Sequence, residues 1–472
     1  MRKKKKKILI IFNETLYFRN FLLNGSFKDI ERKYICNYIV DNKINLKIVK
    51  NILGTKIYKK FKKKLVYSFE YTNKQRNLYT YFFSKKQYNK KHIFPNIKLY
   101  FHRLKSFKIF YEYDKPTIIL GIKRFILWII NLLKIFSFTF LDFKLFDRVI
   151  TRYILAKSNL INFLKKYKPD LIIIPFSGSH ISIFDVIEHY KKLGEKKVFL
   201  ITENWDNLYS RYLINHPDYI GIWGDKMRVQ LRKQNFNGKS LVLGAPRLKK
   251  YFDYRNQNLK KIFNFKYIVF FDNTVPKKID NEIFLNNFES LIERNKKTLG
   301  NYKLVFRPHP FTYIKNLELI DFKNYRHIIL DPQMKDRYTH NLLDSKISKD
   351  DFMYSVKLIK NAEFIIASTS SVILEASILY KKVCIYSPKK NSHLKNQKLI
   401  DLREHIKTVM NFPNISICDD EKKLESYVHK NLLRKNSNFK KKEVDKFRKK
   451  LLFSDNTTFE KRLSKKISNI LN

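Results

Sequence analysis

The stretch AEFIIASTSSVILEASILYKKVCIYS, residues 362–387, contains in order an apolar strand-like run, a cluster of small hydroxyl residues, a helix-like run and a second strand-like run. Near-continuous apolar strands that alternate with helices are typical of a parallel sheet covered on both faces. The hydroxyl cluster follows the carboxyl end of a strand, where open α/β sheets bind ligands. This stretch therefore predicts the class of fold and the edge of the sheet that carries a site.

The same alternation extends towards the N-terminus. The strand-like runs are KPDLIIIPFS, KKVFLITEN, DYIGIWG and KSLVLGAPRL after residue 160, then KYIVFFDN and YKLVF after a polar connection at residues 249–264. We therefore predict an α/β protein with two doubly wound, Rossmann-like domains. The predicted domains are residues 1–248 and residues 265–472, the second of which ends in a helical tail.

Residues 30–150 are less regular and rich in Lys, Phe and Tyr, so they are predicted to be a basic, aromatic insertion in the first domain. Within them, an amphipathic helix over residues 118–138 is expected either to pack inside the domain or to lie in a membrane interface. Its uninterrupted apolar run is far shorter than the ~20 residues of a spanning helix. The run ILIIF near the N-terminus is also too short for a signal-peptide core and predicts a buried strand.

The chain has 472 residues and a formal net charge of +55. Such a charge favours anionic partners, either phosphates or an acidic lipid surface, although A/T-rich codons explain part of the excess of Lys. A basic nucleic-acid-binding protein is the alternative from another class. No zinc finger, RRM-type aromatic motif or helix-turn-helix supports it, so no specific nucleic acid is expected. Three widely separated cysteines indicate a reducing compartment.

Two basic residues, Arg307 and His309, each precede a proline in the segment FRPHP at the end of a predicted strand. The residue before a proline is held in an extended conformation, and extended residues two apart point to the same side. Both side chains are therefore expected to project together from the carboxyl edge of the sheet. A turn with a solvated arginine is the alternative explanation of this segment.

Ser368, Thr369, Ser370 and Ser371 lie at the start of the next predicted helix. Hydroxyl groups and the free N–H groups of a helix start suit a phosphate. Glu375 lies four residues after Ser371 on the same helix face, where it could accept hydrogen bonds from a ribose. Ordinary N-capping by serine is the alternative, but two phosphate-suited segments in one domain favour a nucleotide site.

A third polar cluster follows a strand of the first domain, in LITENWDNLYSR at residues 200–211. An aromatic ring beside carboxylates and amides suits a sugar. Its members with a predicted acceptor-binding role are Asn204, Trp205, Asn207 and Arg211. The alternative is a turn in which Asp206 and Asn207 cap a helix. His180, at the preceding strand end, could line the same cleft.

These segments together resemble GT-B glycosyltransferases and their relatives in bacterial surface-polysaccharide synthesis. RPHP is similar to the His-Pro motif of polysialyltransferases, capsule Kdo transferases and CDP-glycerol glycerophosphotransferases. STSSVILEA is similar to their Ser/Thr motif and to the SGGxxEE segment of UDP-N-acetylglucosamine 2-epimerases, with Ser370 and Ser371 replacing the glycines and Glu375 at the second glutamate position. LVLGAPRLKKYF, residues 241–252, resembles the GNP segment of that superfamily, and the whole resemblance covers roughly residues 160–390.

The resemblance implies that Arg307, His309 and the cluster at residues 368–371 hold the phosphates of a nucleotide-activated donor. It implies a GT-B-like fold in which the two Rossmann-like domains face a central cleft. It also implies a glycosyltransferase that moves a sugar from a nucleotide sugar to a glycan or lipid-linked acceptor of a capsule or lipopolysaccharide. We expect this reaction in the cytoplasm or at the inner face of the membrane. A glycerophosphotransferase and a sugar-nucleotide epimerase are the alternatives within the superfamily.

The expected chemistry needs neither a metal ion nor a cofactor, because the sequence contains no Asp-x-Asp pair and no cluster with metal-ligand spacing. Arg307, His309 and the helix start would stabilise the leaving phosphate. Transfer to an acceptor hydroxyl needs a general base. Glu203 is the preferred candidate, followed by Asp206 and then His180.

Overall fold

Two sheets form the framework of the protein. The computed structural model describes residues 5–77, 79, 159–178, 180–191, 194, 197–210, 213, 216–272, 278–308, 320–334, 349–367, 370–386, 404–433, 441–452 and 457–472. The strands of the first sheet are β1 (Lys7–Phe12), β2 (Ile35–Asp41), β3 (Leu65–Phe69), β4 (Leu171–Phe176), β5 (Lys197–Thr202), β6 (Tyr219–Ile222) and β7 (Lys239–Val242). Those of the second are β8 (Lys266–Phe271), β9 (Tyr302–Arg307), β10 (Ile328–Leu330), β11 (Ile365–Ala367), β12 (Val383–Tyr386) and β13 (Ile415–Cys418).

Helices connect the strands and cover the sheets. In the first half of the chain they are α1 (Lys28–Lys33), α2 (Leu46–Lys64), α3 (Asn159–Tyr167), α4 (Ile181–Asp185), α5 (Asn207–Ser210), α6 (Lys226–Lys233) and α7 (Lys249–Tyr254). In the second half they are α8 (Lys278–Arg294), α9 (Lys296–Leu299), α10 (Lys349–Asn361), α11 (Val372–Ile378), α12 (Glu404–Met410), α13 (Glu421–Leu432), α14 (Lys441–Leu451) and α15 (Phe459–Leu471). Short π-helical segments lie at Phe18–Leu23 and Val186–Tyr190.

The strand orders are those of two doubly wound domains. The first sheet has the order β3-β2-β1-β4-β5-β6-β7 and the second β10-β9-β8-β11-β12-β13, with parallel pairing throughout the described strands. The predicted fold class is confirmed. The direction of winding changes between β1 and β4 and between β8 and β11, and ligands of such folds bind outside the carboxyl ends of the strands at these points.

The central strands are apolar because both of their faces are covered. Ile8 to Phe12 of β1 are fully buried, and Ile8 pairs with Leu171 of β4 on one side and Cys36 of β2 on the other. Edge strand β3 instead alternates exposed and covered residues. Strands β2 and β3 fall within residues 30–150, so the first part of that less regular stretch is built into the sheet.

The last helix, α15, returns to the first domain. Its apolar residues Phe459, Leu463, Ile467 and Ile470 are buried in the same cluster as Ile8. The Arg462 Nε–H group donates a 2.8 Å hydrogen bond to the carbonyl oxygen of Leu243, after β7. Helix α15 therefore completes the core of the first domain, although it follows the second domain in the sequence.

A continuous apolar cluster links the two domains. It includes Ile172 of the first sheet, Val269 of the second, and Leu451 at the end of α14. A Cβ atom on Gly224, after β6, would lie 2.5 Å from the carbonyl oxygen of Leu451, so the backbones approach too closely for any side chain there. Helix α14 thus packs directly on the first domain.

None of the described helices has both the length and the apolar character that crossing a membrane requires. The helix predicted over residues 118–138 lies outside the described residues, as does the rest of the stretch from residue 80 to residue 158.

Candidate active site between the domains

Polar side chains collect where the carboxyl ends of the two sheets meet. Glu14 follows β1, Glu203 follows β5 and Arg247 follows β7, while Glu375 lies on α11, directly after β11. We define the interdomain site as Glu14, Arg19, Asn20, His180, Glu203, Arg247, Tyr251, Ser371 and Glu375. Parallel strands bring these residues together although they are far apart in the sequence.

Glu375 receives hydrogen bonds from the segment that leaves the first domain. An Arg247 Nη2–H group donates to Glu375 Oε1 at 3.1 Å and to Ser371 Oγ at 3.3 Å. The Tyr251 hydroxyl donates to Glu375 Oε2 at 2.8 Å. The side chains of Arg247 and Glu375 are 17% and 13% exposed, so removing one partner would leave a charge that is poorly hydrated and unpaired, at a cost of about 3–5 kcal/mol.

Glu203 is buried, with 5% of its surface exposed, and accepts a short hydrogen bond from Asn20 Nδ2. Its backbone N–H donates to the carbonyl oxygen of Phe176 at the end of β4, which fixes the start of the loop. Burial raises the pKa of the Glu203 carboxyl, although the charges of Arg247 and Arg19 act in the opposite direction. A carboxyl with a raised pKa is suited to proton transfer near neutral pH.

Two guanidinium groups face this carboxylate. Burial and then the charge of Arg247 lower the pKa of Arg19. Burial also acts to lower the pKa of Arg247, but the charges of Glu203, Glu375, Tyr251 and Asp206 together outweigh it and raise this pKa. The difference arises because Arg247 is ion-paired, while Arg19 forms no ion pair within the described part of the chain and donates only its Nε–H to Asn20, at 3.0 Å. Two neighbouring arginines with one unpaired member form an arrangement suited to phosphates.

His180 and Glu14 form a second group, between the ends of β1 and β4. The two side chains are 27% and 29% exposed, and His180 Nε2 lies 2.7 Å from Glu14 Oε1. The same oxygen accepts a 2.6 Å hydrogen bond from Ser177 Oγ, which in turn accepts one from the Tyr17 hydroxyl at 2.9 Å. The carboxylate and its neighbours therefore hold the imidazole in one orientation at the winding reversal of the first sheet.

On the second domain, Arg307 is held in an internal network. Its guanidinium forms a short ion pair with Asp331 and donates to Gln333 Oε1 at 2.6 Å and to Ser355 Oγ at 3.2 Å. Asp331 also accepts a 2.7 Å hydrogen bond from the Tyr354 hydroxyl. Burial acts to lower the pKa of Arg307, but the charge of Asp331, its hydrogen bond and the nearby tyrosines together outweigh burial and raise this pKa. Arg307 therefore remains a cation at the carboxyl end of β9.

The hydroxyl cluster is described in part. Ser370 and Ser371 are half-buried before α11, and the Ser371 side chain makes no capping hydrogen bond to that helix but accepts from Arg247 instead. Simple N-capping therefore does not explain Ser371. Ser368 and Thr369 lie outside the described residues, and so does His309 of the RPHP segment.

The segment with the predicted acceptor-binding residues forms a compact turn. Asn207 Oδ1 accepts from the N–H of Asn204 at 2.5 Å, and Asn207 Nδ2 donates to the carbonyl oxygen of Ser177 at 2.8 Å. Trp205 is 5% exposed and belongs to the apolar cluster, so its ring packs in the core instead of lining an open sugar site. Asp206 is half-buried, and Arg211 lies outside the described residues.

Several residues of the site had no motif to indicate them in the sequence: Glu14, Arg19, Asn20, Arg247 and Tyr251. Tyr251 lies in the stretch predicted to be a polar connection, but it is 3% exposed and contacts the second domain. The only available indication was a cation within the otherwise apolar segment GAPRL. Long-range contacts, which no local pattern encodes, position most of these residues: Glu14 and Asn20 contact His180 and Glu203 of the first domain, and Arg247 and Tyr251 contact Glu375 of the second.

Among the described residues, one group of possible metal ligands lies away from this site, on α8 and directly before β10. The ligand atoms of Glu289, Glu293 and His327 are all within 4.8 Å of one another. His327 Nε2 is 2.8 Å from Glu293 Oε1, and Glu289 accepts hydrogen bonds from the N–H groups of Arg326 and His327. The possible ligand atoms of this group are therefore already engaged in contacts within the protein.

No protein-family model matches the chain, and no curated protein matches it in sequence. Similar solved structures include the UDP-GlcNAc 2-epimerase from Methanocaldococcus jannaschii, with 13% identity, a TM-score of 0.48, and coverage of 98% of this chain and 99% of that one. The UDP-GlcNAc 2-epimerase from Neisseria meningitidis bound to UDP-GlcNAc has 11% identity, a TM-score of 0.47 and the same coverage. The glycotransferase of kitacinnamycin has 8% identity and a TM-score of 0.45, and covers 99% of this chain and 100% of that one. At these sequence identities and TM-scores, the similarity to solved structures does not assign a function to this chain.

Proposed function

We propose that the protein is a metal-independent glycosyltransferase that moves a sugar from a nucleotide-activated donor to a hydroxyl group of a surface-glycan or lipid-linked acceptor. The observation that carries this proposal is the pair Arg19 and Arg247 beside Glu203 and Glu375, where the two Rossmann-like domains meet. Such a site provides cations for phosphates and carboxylates for hydroxyl groups and proton transfer. The proposed place of action is the cytoplasmic face of the membrane.

The donor phosphates would lie beside the guanidinium groups of the first domain and the hydroxyl cluster of the second, which already touch where Arg247 donates to Ser371. Arg19 would supply an unpaired charge, and Ser370 and Ser371 would supply hydroxyl groups. Glu375 would bind the ribose, since each of its oxygens retains acceptor capacity beyond the bond it now accepts. Cations that are fixed before the reaction stabilise the charge that develops on the leaving phosphate.

The acceptor hydroxyl needs a base, and three groups are candidates for this role. His180 is 27% exposed and oriented by Glu14, so a hydroxyl group can reach its imidazole. Glu203 has the raised pKa but is covered and hydrogen-bonded to Asn20. We therefore place His180 first and Glu203 second. Asp206 is third, because only its effect on the pKa of Glu203 indicates that it lies near the site.

An epimerase acting on a nucleotide sugar is the second candidate. The charges of Glu14 and Asp206 both raise the pKa of Glu203, so three carboxyl groups lie near one another. Carboxyl groups on opposite faces of a sugar ring could remove and return a carbon-bound proton. Incubating a nucleotide sugar alone in D₂O separates the two functions, because only the epimerase incorporates deuterium at a ring carbon.

The first test is nucleotide binding, measured as thermal stabilisation by CMP, CDP, UDP and GDP, with an RNA oligonucleotide as comparison. One nucleotide should raise the melting temperature, and RNA should bind only weakly. Arg19→Gln should weaken the nucleotide about 10- to 150-fold, the equivalent of one charge-assisted contact. The control Arg228→Gln removes an exposed arginine of α6 that is paired with Asp225. RNA binding that persists in about 0.3 M salt, with no nucleotide effect, would contradict the proposal.

A further inference from the structure

A concave basic surface lies on the first domain between α1 and α2. It encloses about 520 Å³ and is lined by Lys28, Glu31, Arg32, Lys60, Lys63 and Lys64. We call it the basic groove. Five of these side chains are cations and one is a carboxylate, so the groove concentrates positive charge even within this basic protein.

The groove lies at the end of the first domain that is opposite the interdomain site. Helix α1 ends directly before β2, and α2 ends directly before β3, so the C-terminal turns of both helices lie at the amino edge of the sheet. The exposed residues Lys5 and Lys6 precede β1 at the same edge. The interdomain site is at the carboxyl edge, and a ligand in the groove would therefore be separate from the proposed donor and acceptor.

The cations of the groove are incompletely neutralised. Glu31 Oε1 forms an ion pair with Lys64 Nζ at 2.7 Å and accepts a hydrogen bond from the Tyr38 hydroxyl at 2.9 Å. Lys28, Lys60 and Lys63 are exposed and form no ion pair within the described chain. Three unpaired ammonium groups on two sides of one concavity favour a ligand with more than one negative charge.

We propose that the basic groove binds phosphate headgroups of anionic phospholipids and thereby docks the protein on a membrane surface. The groove is wide enough for a headgroup, and exposed cations continue along the same edge to Lys5 and to Lys6, the second of which is paired with Asp170. The apolar residue Ile35, 43% exposed, lies directly after α1 beside these cations. An extended basic edge of this kind matches a charged lipid surface better than one small ligand.

The test uses the full-length protein and two kinds of vesicle, pure phosphatidylcholine and phosphatidylcholine with about 30% phosphatidylglycerol. The wild type should sediment with the anionic vesicles only and be released as the salt concentration rises. The triple variant Lys28→Gln, Lys60→Gln, Lys63→Gln should bind anionic vesicles about a hundredfold more weakly, because each cation near the surface contributes about fivefold to the partition coefficient. Lys64 is kept, so that its ion pair with Glu31 continues to support α1.

The matched control carries the same charge change on the second domain, as Lys442→Gln, Lys446→Gln, Lys449→Gln in α14. It should bind anionic vesicles like the wild type. Equal losses in the two triple variants would show that total charge, and not the groove, governs binding and would overturn the proposal. The proposal also fails if anionic vesicles do not bind, or if soluble tripolyphosphate or RNA protects the groove lysines from acetylation while vesicles do not.

Discussion

At the scale of single residues, Glu203 is a site residue that is expected to lower the stability of the folded protein. Its carboxyl group is buried, and its pKa is raised despite two nearby arginines. A raised pKa in the folded state means that the ionised form is less stable there than in the unfolded chain. Glu203 is therefore expected to cost stability at neutral pH in exchange for a group suited to proton transfer.

The variant Glu203→Gln should consequently be more stable than the wild type at pH 8. The two proteins should converge as the pH falls, because the cost appears only as the pH rises from the unfolded-state pKa through the raised folded-state pKa. The amide oxygen still accepts from Asn20, so the loop is kept. Melting temperatures measured from pH 5 to pH 8 give the result. If the stability of Glu203→Gln relative to the wild type is instead lower at pH 8 than at pH 5, the attraction between the Glu203 carboxylate and the two arginines outweighs the cost of its burial.

Sequence patterns located some of the site residues but not others. Glu203 and Glu375 follow predicted strands, and the topology of a parallel sheet brings such positions to one edge. Trp205 is buried because an indole ring next to a strand end can pack inward as well as outward, and local sequence does not distinguish the two. Arg247 is placed by a contact between domains, and Arg19 by the first domain's own packing, and neither appears in the sequence as a period or motif.

At the scale of elements, central strands such as β1 and β4 were predictable because they are buried on both faces and are therefore apolar throughout. Strands β2 and β3 were not predicted, because they lie within the less regular stretch rich in Lys, Phe and Tyr. Helix α2 was hidden by its many lysines and by Gly54, whose φ of 70° interrupts the helix.

The contact of α14 with Gly224 gives a prediction at the same scale. Gly224→Ala should destabilise the protein by about 1–3 kcal/mol, because the new Cβ would meet the carbonyl oxygen of Leu451 and force the helix away. Urea denaturation measures this cost. Lys226→Ala, on the exposed surface of α6 close by, is the control and should change stability by less than about 0.5 kcal/mol. Equal stability of the glycine variant would show that α14 shifts freely.

At the scale of the whole molecule, the two ends of the first sheet have different roles in the proposals above. The carboxyl edge contributes to the interdomain site, and the amino edge carries the basic groove. A strand of six residues spans roughly 20 Å. A molecule docked through the groove would therefore hold its active site away from the lipid surface, which favours an acceptor that extends from the membrane.

The path of the chain predicts that the last helix controls the stability of the first domain. Leu463→Ala in α15 should cost about 2–5 kcal/mol, because Leu463 is fully buried among residues of the first sheet. Lys465→Ala, on the exposed face of the same helix, should have little effect. Hydrogen exchange would locate the loss, with faster exchange in β1 and β2 than in the wild type. Loss of protection confined to the second domain would contradict this assignment.

The return of α15 also constrains the order of events during protein synthesis. The seven strands of the first sheet leave the ribosome before any strand of the second, but the apolar face that receives α15 stays open until residues 459–471 have been made. A nascent chain usually folds its N-terminal domain first. Here, translation of the whole second domain must precede completion of the first, so the nascent chain exposes that apolar face to other proteins throughout the intervening elongation.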